Sequence, residues 1–156
     1  MIRFRPMRAE NAAVVAGLIR TAFARQAVPV DPPASALEVT AEVVLAHLAG
    51  GGGGAIAEAG GRVVGSVLWE TRADGLYVSR LAVDPEARRR GIGQALMGLA
   101  EQAARGAGAA RLSLGTRLAL SGNRRLFAAC GYIEVAEHAH PGYAEPTWVE
   151  MERRLG

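Results

Sequence analysis

Two short glycine-bearing turns decide what the middle of this chain can become. Gly60-Gly61 and Asp74-Gly75 separate three largely apolar runs, Ala55 to Ala59, Val63 to Arg72 and Leu76 to Val83. Two-residue turns of the Gly-Gly and Asp-Gly type close antiparallel hairpins, because the central positions need positive φ and glycine reaches it without strain. The expectation is three sequential antiparallel strands. Everything else in the chain must pack against that meander.

The flanks read by period and punctuation. Ile2 to Arg5 alternates as a short strand, and Pro6 is expected to stop it. From Asn11 to Arg25, Val14, Val15, Leu18, Ile19, Ala22 and Phe23 recur at helical spacing. Pro29, Pro32 and Pro33 break the chain, and Ser35 is expected to cap a second helix running through Leu37, Val43, Val44 and Leu48. The glycine run Gly50 to Gly54 lacks the lysine and Ser/Thr of a P-loop and reads as a helix-to-strand connection. Downstream, Gly91 to Arg105 carries an apolar helical face, Arg111 to Thr116 is strand-like, and Ser121 or Asn123 caps a short helix through Ala129. Tyr132 to Val135 and Thr147 to Met151 are the last strands, around a loop from Ala136 to Pro146. The order is β-α-α-β-β-β-α-β-α-β-β, an α/β chain with a mixed sheet.

Composition bounds this further. At 156 residues the chain fits one domain, 1–156. Cys130 is the sole cysteine, so no intramolecular disulfide forms. All 18 basic residues are arginine, which excludes any chemistry needing lysine. The charge of +3 is spread among 15 acidic residues, and aromatics are few. No nucleic-acid partner is therefore expected. No apolar run reaches signal-peptide length or the ~18 residues of a membrane span. No membrane partner and a cytoplasmic location are the corresponding expectations.

The most informative segment is Leu81-Ala82-Val83-Asp84-Pro85-Glu86-Ala87-Arg88-Arg89-Arg90-Gly91-Ile92-Gly93-Gln94-Ala95-Leu96. A strand enters an arginine-bearing loop, and two glycines open a helix whose first-turn amides point outward at the positive end of its dipole. Such a site binds an anion, most naturally phosphate or diphosphate. A dinucleotide fingerprint fails, since Leu96 replaces its third glycine.

Here the sequence resembles the GNAT superfamily of acetyl-CoA-dependent N-acetyltransferases. Its Arg/Gln-x-x-Gly-x-Gly/Ala signature is matched by Arg88, Gly91 and Gly93, and the element order is similar from Ile2 to Met151. The resemblance implies a GNAT fold, a mixed and mostly antiparallel sheet of about seven strands with four helices. It implies acetyl-CoA as co-substrate, its diphosphate held by Arg88, Arg89, Arg90, Gly91, Ile92, Gly93, Gln94 and Ala95, and its pantetheine arm along Leu81, Ala82 and Val83. That arm would lie where the strands Leu76 to Val83 and Arg111 to Thr116 splay apart. It also implies acetyl transfer to a primary amine, on a small molecule or peptide, directly within a ternary complex. A homodimer is compatible with it.

Ser121 to Tyr132 resembles the family's asparagine-helix-Gly-aromatic block more loosely. Asn123 and Phe127 are the coenzyme contacts it implies, although Leu120 occupies the family's common asparagine position. Phe127 also replaces the tyrosine that often protonates the departing thiolate. A non-catalytic acyl-CoA-binding regulatory module is the alternative this raises. Tyr77 and Glu70 are the candidate bases or acids, Tyr77 sharing a face with Ser79, Leu81 and Val83 by strand alternation. In the loop, Tyr143 or His140 is a candidate to reach the acceptor. His138 and His140 have no evident third metal ligand, so no metal is expected. Cys130 reads as core packing, and Arg80 as a group facing an acidic acceptor or solvent.

Overall fold

A computed structural model describes residues 1–26, 28–73 and 75–156. The strands are β1 (Ile2–Pro6), β2 (Gly53–Ala59), β3 (Arg62–Arg72), β4 (Gly75–Val83), β5 (Arg111–Arg117), β6 (Ile133–His138) and β7 (Trp148–Arg154). The helices are α1 (Ala12–Ala24), α2 (Ala41–Ala49), α3 (Ile92–Gly106) and α4 (Ser121–Ala129). One seven-stranded sheet runs β1-β2-β3-β4-β5-β7-β6. Among the described residues only β4 and β5 pair in parallel, as the α3 crossover between them requires.

The meander β2-β3-β4 forms as expected around Gly60-Gly61. Of the second expected turn, Gly75 opens β4, and Asp74 lies outside the described residues. β2 takes in Gly53 and Gly54 from the glycine run, so part of that connection is strand. Pro6 does not stop β1 but pairs with Ala55; on an edge strand its missing amide is harmless. The expected helix from Ser35 is two pieces. A 3-10 turn covers Ser35–Glu38, Val39 is extended, and Thr40, not Ser35, caps α2 by accepting from the Val43 amide at 3.3 Å. Helix α4, by contrast, starts with no side-chain cap, so neither Ser121 nor Asn123 plays that part.

The sheet has a core on each face. On one, Ile92, Leu96, Met97, Ala100 and Phe127 pack with Ala55, Ala57, Leu76, Val78 and Leu114. On the other, Val15, Ile19 and Val44 pack with Ile56, Leu68 and Ala82. Successive strand residues serve opposite faces, which is why Ala55 and Ile56 belong to different cores. Leu96 is wholly buried, worth ~1.5–3 kcal/mol in transfer free energy. A β-carbon at Gly65 would lie 2.8 Å from Ile92 and 3.1 Å from Leu96, so α3 can seat this closely only over glycine.

Alternation along β4 breaks in the middle. Leu68 pairs with Ser79 and Ser66 with Ala82, so Val67 faces two residues, Arg80 and Leu81. Arg80 takes φ of +54° at this bulge. Leu76 and Val78 therefore face the α3 core, Ala82 faces the α1 core, and Leu81 and Val83 join the α3 side. The expectation that Tyr77, Ser79, Leu81 and Val83 share one face is thereby corrected. Tyr77 and Ser79 face α1; Leu81 and Val83 face α3.

Candidate active site

β4 and β5 pair only at Gly75 with Arg111, Leu76 with Leu112 and Tyr77 with Ser113. Past Tyr77 they diverge, while β5 stays paired to β7 along its length. The wedge leaves backbone groups of β4 facing open space, and such groups need partners. Two contiguous cavities fill it. Phe23, Gln26, Leu81, Leu120 and Asn123 border both.

The larger, about 650 Å³, runs from Leu81, Ala82 and Val83 to Arg88, Arg89, Gly91, Ile92, Gly93 and Gln94, with Asn123 and Arg125 opposite. After β4, Asp84 accepts from the Glu86 amide at 2.9 Å and turns the chain. Gly91 takes φ of +74° just before α3, a left-handed position that disfavours a side chain. The first helical bond joins the Ala95 amide to the Gly91 carbonyl at 3.0 Å. The amides of Ile92, Gly93 and Gln94 have no partner within the helix and open toward the groove. Arg88, exposed, reaches only the Ala22 carbonyl at 3.4 Å. Arg90 and Ala95, also expected at this site, do not border the groove.

The smaller cavity, about 460 Å³, holds Tyr77 and Glu70, which sit opposite each other on β4 and β3. Arg72 donates to Glu70 at 3.0 Å, and its guanidinium lies 3.8 Å above the Tyr77 ring centre. Across the wedge, a β-carbon on Gly115 would lie 3.6 Å from the Tyr77 hydroxyl, which places that hydroxyl against β5. Phe127 borders this cavity from α4 and packs 6.3 Å from the Tyr132 ring. His140 and Arg117 also line it. Burial first, and Arg117 second, hold the His140 ring below the usual histidine value. Burial alone lowers Arg80, against a raising influence of Tyr77.

Tyr143 stands apart. Its hydroxyl donates to Asp31 at 2.6 Å, which raises the phenol, and it borders neither cavity. With Arg117 donating to the Pro32 carbonyl at 2.6 Å, it ties the β6-β7 loop to the segment between α1 and α2. His138 stacks on Trp148 at 4.4 Å and pairs with Glu150 at 3.0 Å. Cys130 is half-buried, its thiol pushed up by burial, and packs against the α3 core. Among the described residues no three His, Cys, Asp or Glu side chains gather as a metal site would need. No helix of the described residues is long and apolar enough to cross a membrane.

The family model for acetyltransferases of the GNAT type matches residues 19–132, spanning the wedge, the glycine loop and α4. The chain belongs to the acetyltransferase (GNAT) family. Its fold is correspondingly close to solved GNAT-like structures of low identity. PaiA N-acetyltransferase from Thermoplasma acidophilum, in complex with coenzyme A, superposes with a TM-score of 0.80 at 16% identity, covering 99% of both chains. Ribosomal-protein-S18-alanine N-acetyltransferase from Escherichia coli gives 0.79 at 16% identity over 99% of this chain and 94% of that one. IAA acetyltransferase from Bacillus cereus gives 0.72 at 20% identity over 99% and 100%. No curated protein sequence matches the chain.

One arginine of this GNAT domain, Arg125, was not expected at the site, and Arg80, expected to face an acidic acceptor or solvent, borders the smaller cavity. Arg124 is consumed by a two-pronged pair with Glu134 at 2.8 and 2.9 Å, which leaves its neighbour Arg125 on the groove. Adjacent arginines look alike in sequence; the acid that removes one of them arrives from β6. Arg80 reaches the smaller, inner cavity through the bulge, and nothing in a strand of ordinary residues marks where a bulge falls.

Proposed function

We propose that this acetyltransferase moves the acetyl group of acetyl-CoA directly to a primary amine in a ternary complex. The reading rests on one observation: the wedge that opens past Tyr77 runs without a break into the groove under the free amides of Ile92, Gly93 and Gln94. Acetyl-CoA supplies an activated thioester when bound. The chain's amides and Arg88, Arg89 and Arg125 fit its diphosphate, since backbone donors and fixed guanidinium cations both suit phosphate oxygens. The unpaired edge of β4 at Leu81 to Val83 fits the amide-bearing arm.

The smaller cavity then takes the amine. Holding both reactants there makes attack effectively unimolecular, which accounts for much of the rate. A thiol of pKa about 8.5 leaves without a strong acid, so Phe127 in place of tyrosine is tolerable. Tyr77 is the residue placed to handle a proton, its hydroxyl standing in the wedge where the strands part. Glu70 is already held by Arg72, which makes it a positioning partner for Tyr77 rather than the first base.

Calorimetry with acetyl-CoA and a thiol-release assay over an amine panel test this. Affinity should fall about tenfold or more in Gly91→Asp and Arg88→Glu, each of which sets charge against the diphosphate. Tyr77→Phe should lower kcat while acetyl-CoA affinity holds. Affinity unchanged in both loop variants would overturn the site. Binding without turnover of any amine would overturn the reaction in favour of a non-catalytic acyl-CoA-binding module.

A further inference from the structure

The inner cavity has a charge imbalance. Arg72, Arg80 and Arg117 line it against a single carboxylate, Glu70. Arg72 takes up that carboxylate, and Arg117 donates to the carbonyls of Pro32 and Pro33 with Asp31 in its field. Arg80 has neither hydrogen bond nor ion pair among the described residues. It is nonetheless half-buried, and its backbone is held at a positive φ that non-glycine residues rarely adopt. Bulges beside functional sites re-aim side chains, and this one brings a guanidinium to the inner cavity beside Tyr77. A half-buried cation with no counter-charge is costly unless something supplies the anion.

We propose that the acceptor is a small amine bearing its own carboxylate, and that Arg80 holds that carboxylate. This rests on the acetyl-transfer reading above. A guanidinium fork matches carboxylate oxygens two at a time, so it fixes orientation as well as position. With the carboxylate on Arg80, the amine of the same molecule points to the apex of the wedge at Tyr77, where β4 and β5 separate. The carbon–nitrogen bond then forms as the thioester carbon–sulfur bond breaks. The proton lost by the amine goes, net, to the thiolate, giving the N-acetyl product and free coenzyme A.

The test compares matched substrates on the full chain at saturating acetyl-CoA: amino acids against their carboxamides, and O-phosphoethanolamine against ethanolamine. The acid of the best pair should exceed its amide about tenfold or more in kcat/KM, the scale of one lost hydrogen bond to a charged group. Arg80→Gln should collapse that ratio to near one, with acetyl-CoA affinity by calorimetry reporting that the variant is folded, and Arg80→Lys should restore part of it. Amides turned over as well as acids by the unaltered chain overturn the proposal without needing any variant, and leave acetyl transfer intact. A preference for the phosphate of the second pair larger than for the carboxylate also overturns it. Absence of thiol release from every amine, neutral or anionic, overturns the parent reading instead.

Discussion

Two glycines, one at the start of helix α3 and one within it, should respond to the same substitution in opposite ways. Gly91 precedes the helix at φ of +74°, and a β-carbon there would meet nothing within 4 Å. Gly91→Ala therefore brings no clash, and its whole cost is the left-handed backbone, ~1–2 kcal/mol for an L-residue with a side chain. Gly98 lies within the helix at ordinary φ, also with nothing within 4 Å of an added β-carbon. Gly98→Ala removes the entropic handicap of glycine in a helix, ~1 kcal/mol. For a chain of this length 1 kcal/mol moves Tm by roughly 2–4 °C. Thermal denaturation followed by circular dichroism should then place Gly91→Ala roughly 2–8 °C below the parent and Gly98→Ala roughly 2–4 °C above it. If both variants shift the same way, or Gly91→Ala melts with the parent, the assignment of strain to the loop is wrong.

Leu96→Ala should cost about 2–5 kcal/mol in urea unfolding, because Leu96 is wholly buried and α3 rests so closely on Gly65 that little can collapse into the gap; a loss below 1 kcal/mol refutes that packing. The His140 ring should titrate below about 6.5 when followed by NMR, and Arg117→Gln should move the midpoint up. Because its folded value is depressed, this group costs the folded state nothing at high pH. Its penalty grows as pH falls from about 6.5 through the folded value and then levels off. A midpoint above 6.5 contradicts the burial of the ring.

The legible parts of the molecule are those with local causes. The Gly60-Gly61 pair marks a hairpin, the Arg88-x-x-Gly91-x-Gly93 segment marks the turn into α3, and helical period marks α1 and α3. What escaped depends on distant partners. Thr40 rather than Ser35 caps α2 because Val39 is extended, a choice made by its burial against the α1 core. The Arg80 bulge falls on residues with no left-handed preference, so the face shift it imposes on Leu81 and Val83 has no signal in the strand itself. Tyr143 is spoken for by Asp31, 112 positions away, which no spacing rule connects.

The three-residue seam between β4 and β5 has a mechanical side. Beyond it the sheet is two plates, β1-β2-β3-β4 and β5-β7-β6, that share a core but not a continuous ladder. A molecule bound in the gap between β4 and β5 would touch both plates. Its binding free energy is then also cohesion of the fold, growing with ligand concentration as RT ln(1 + [L]/Kd). A ligand that bridges both plates should therefore raise the melting temperature as its concentration rises.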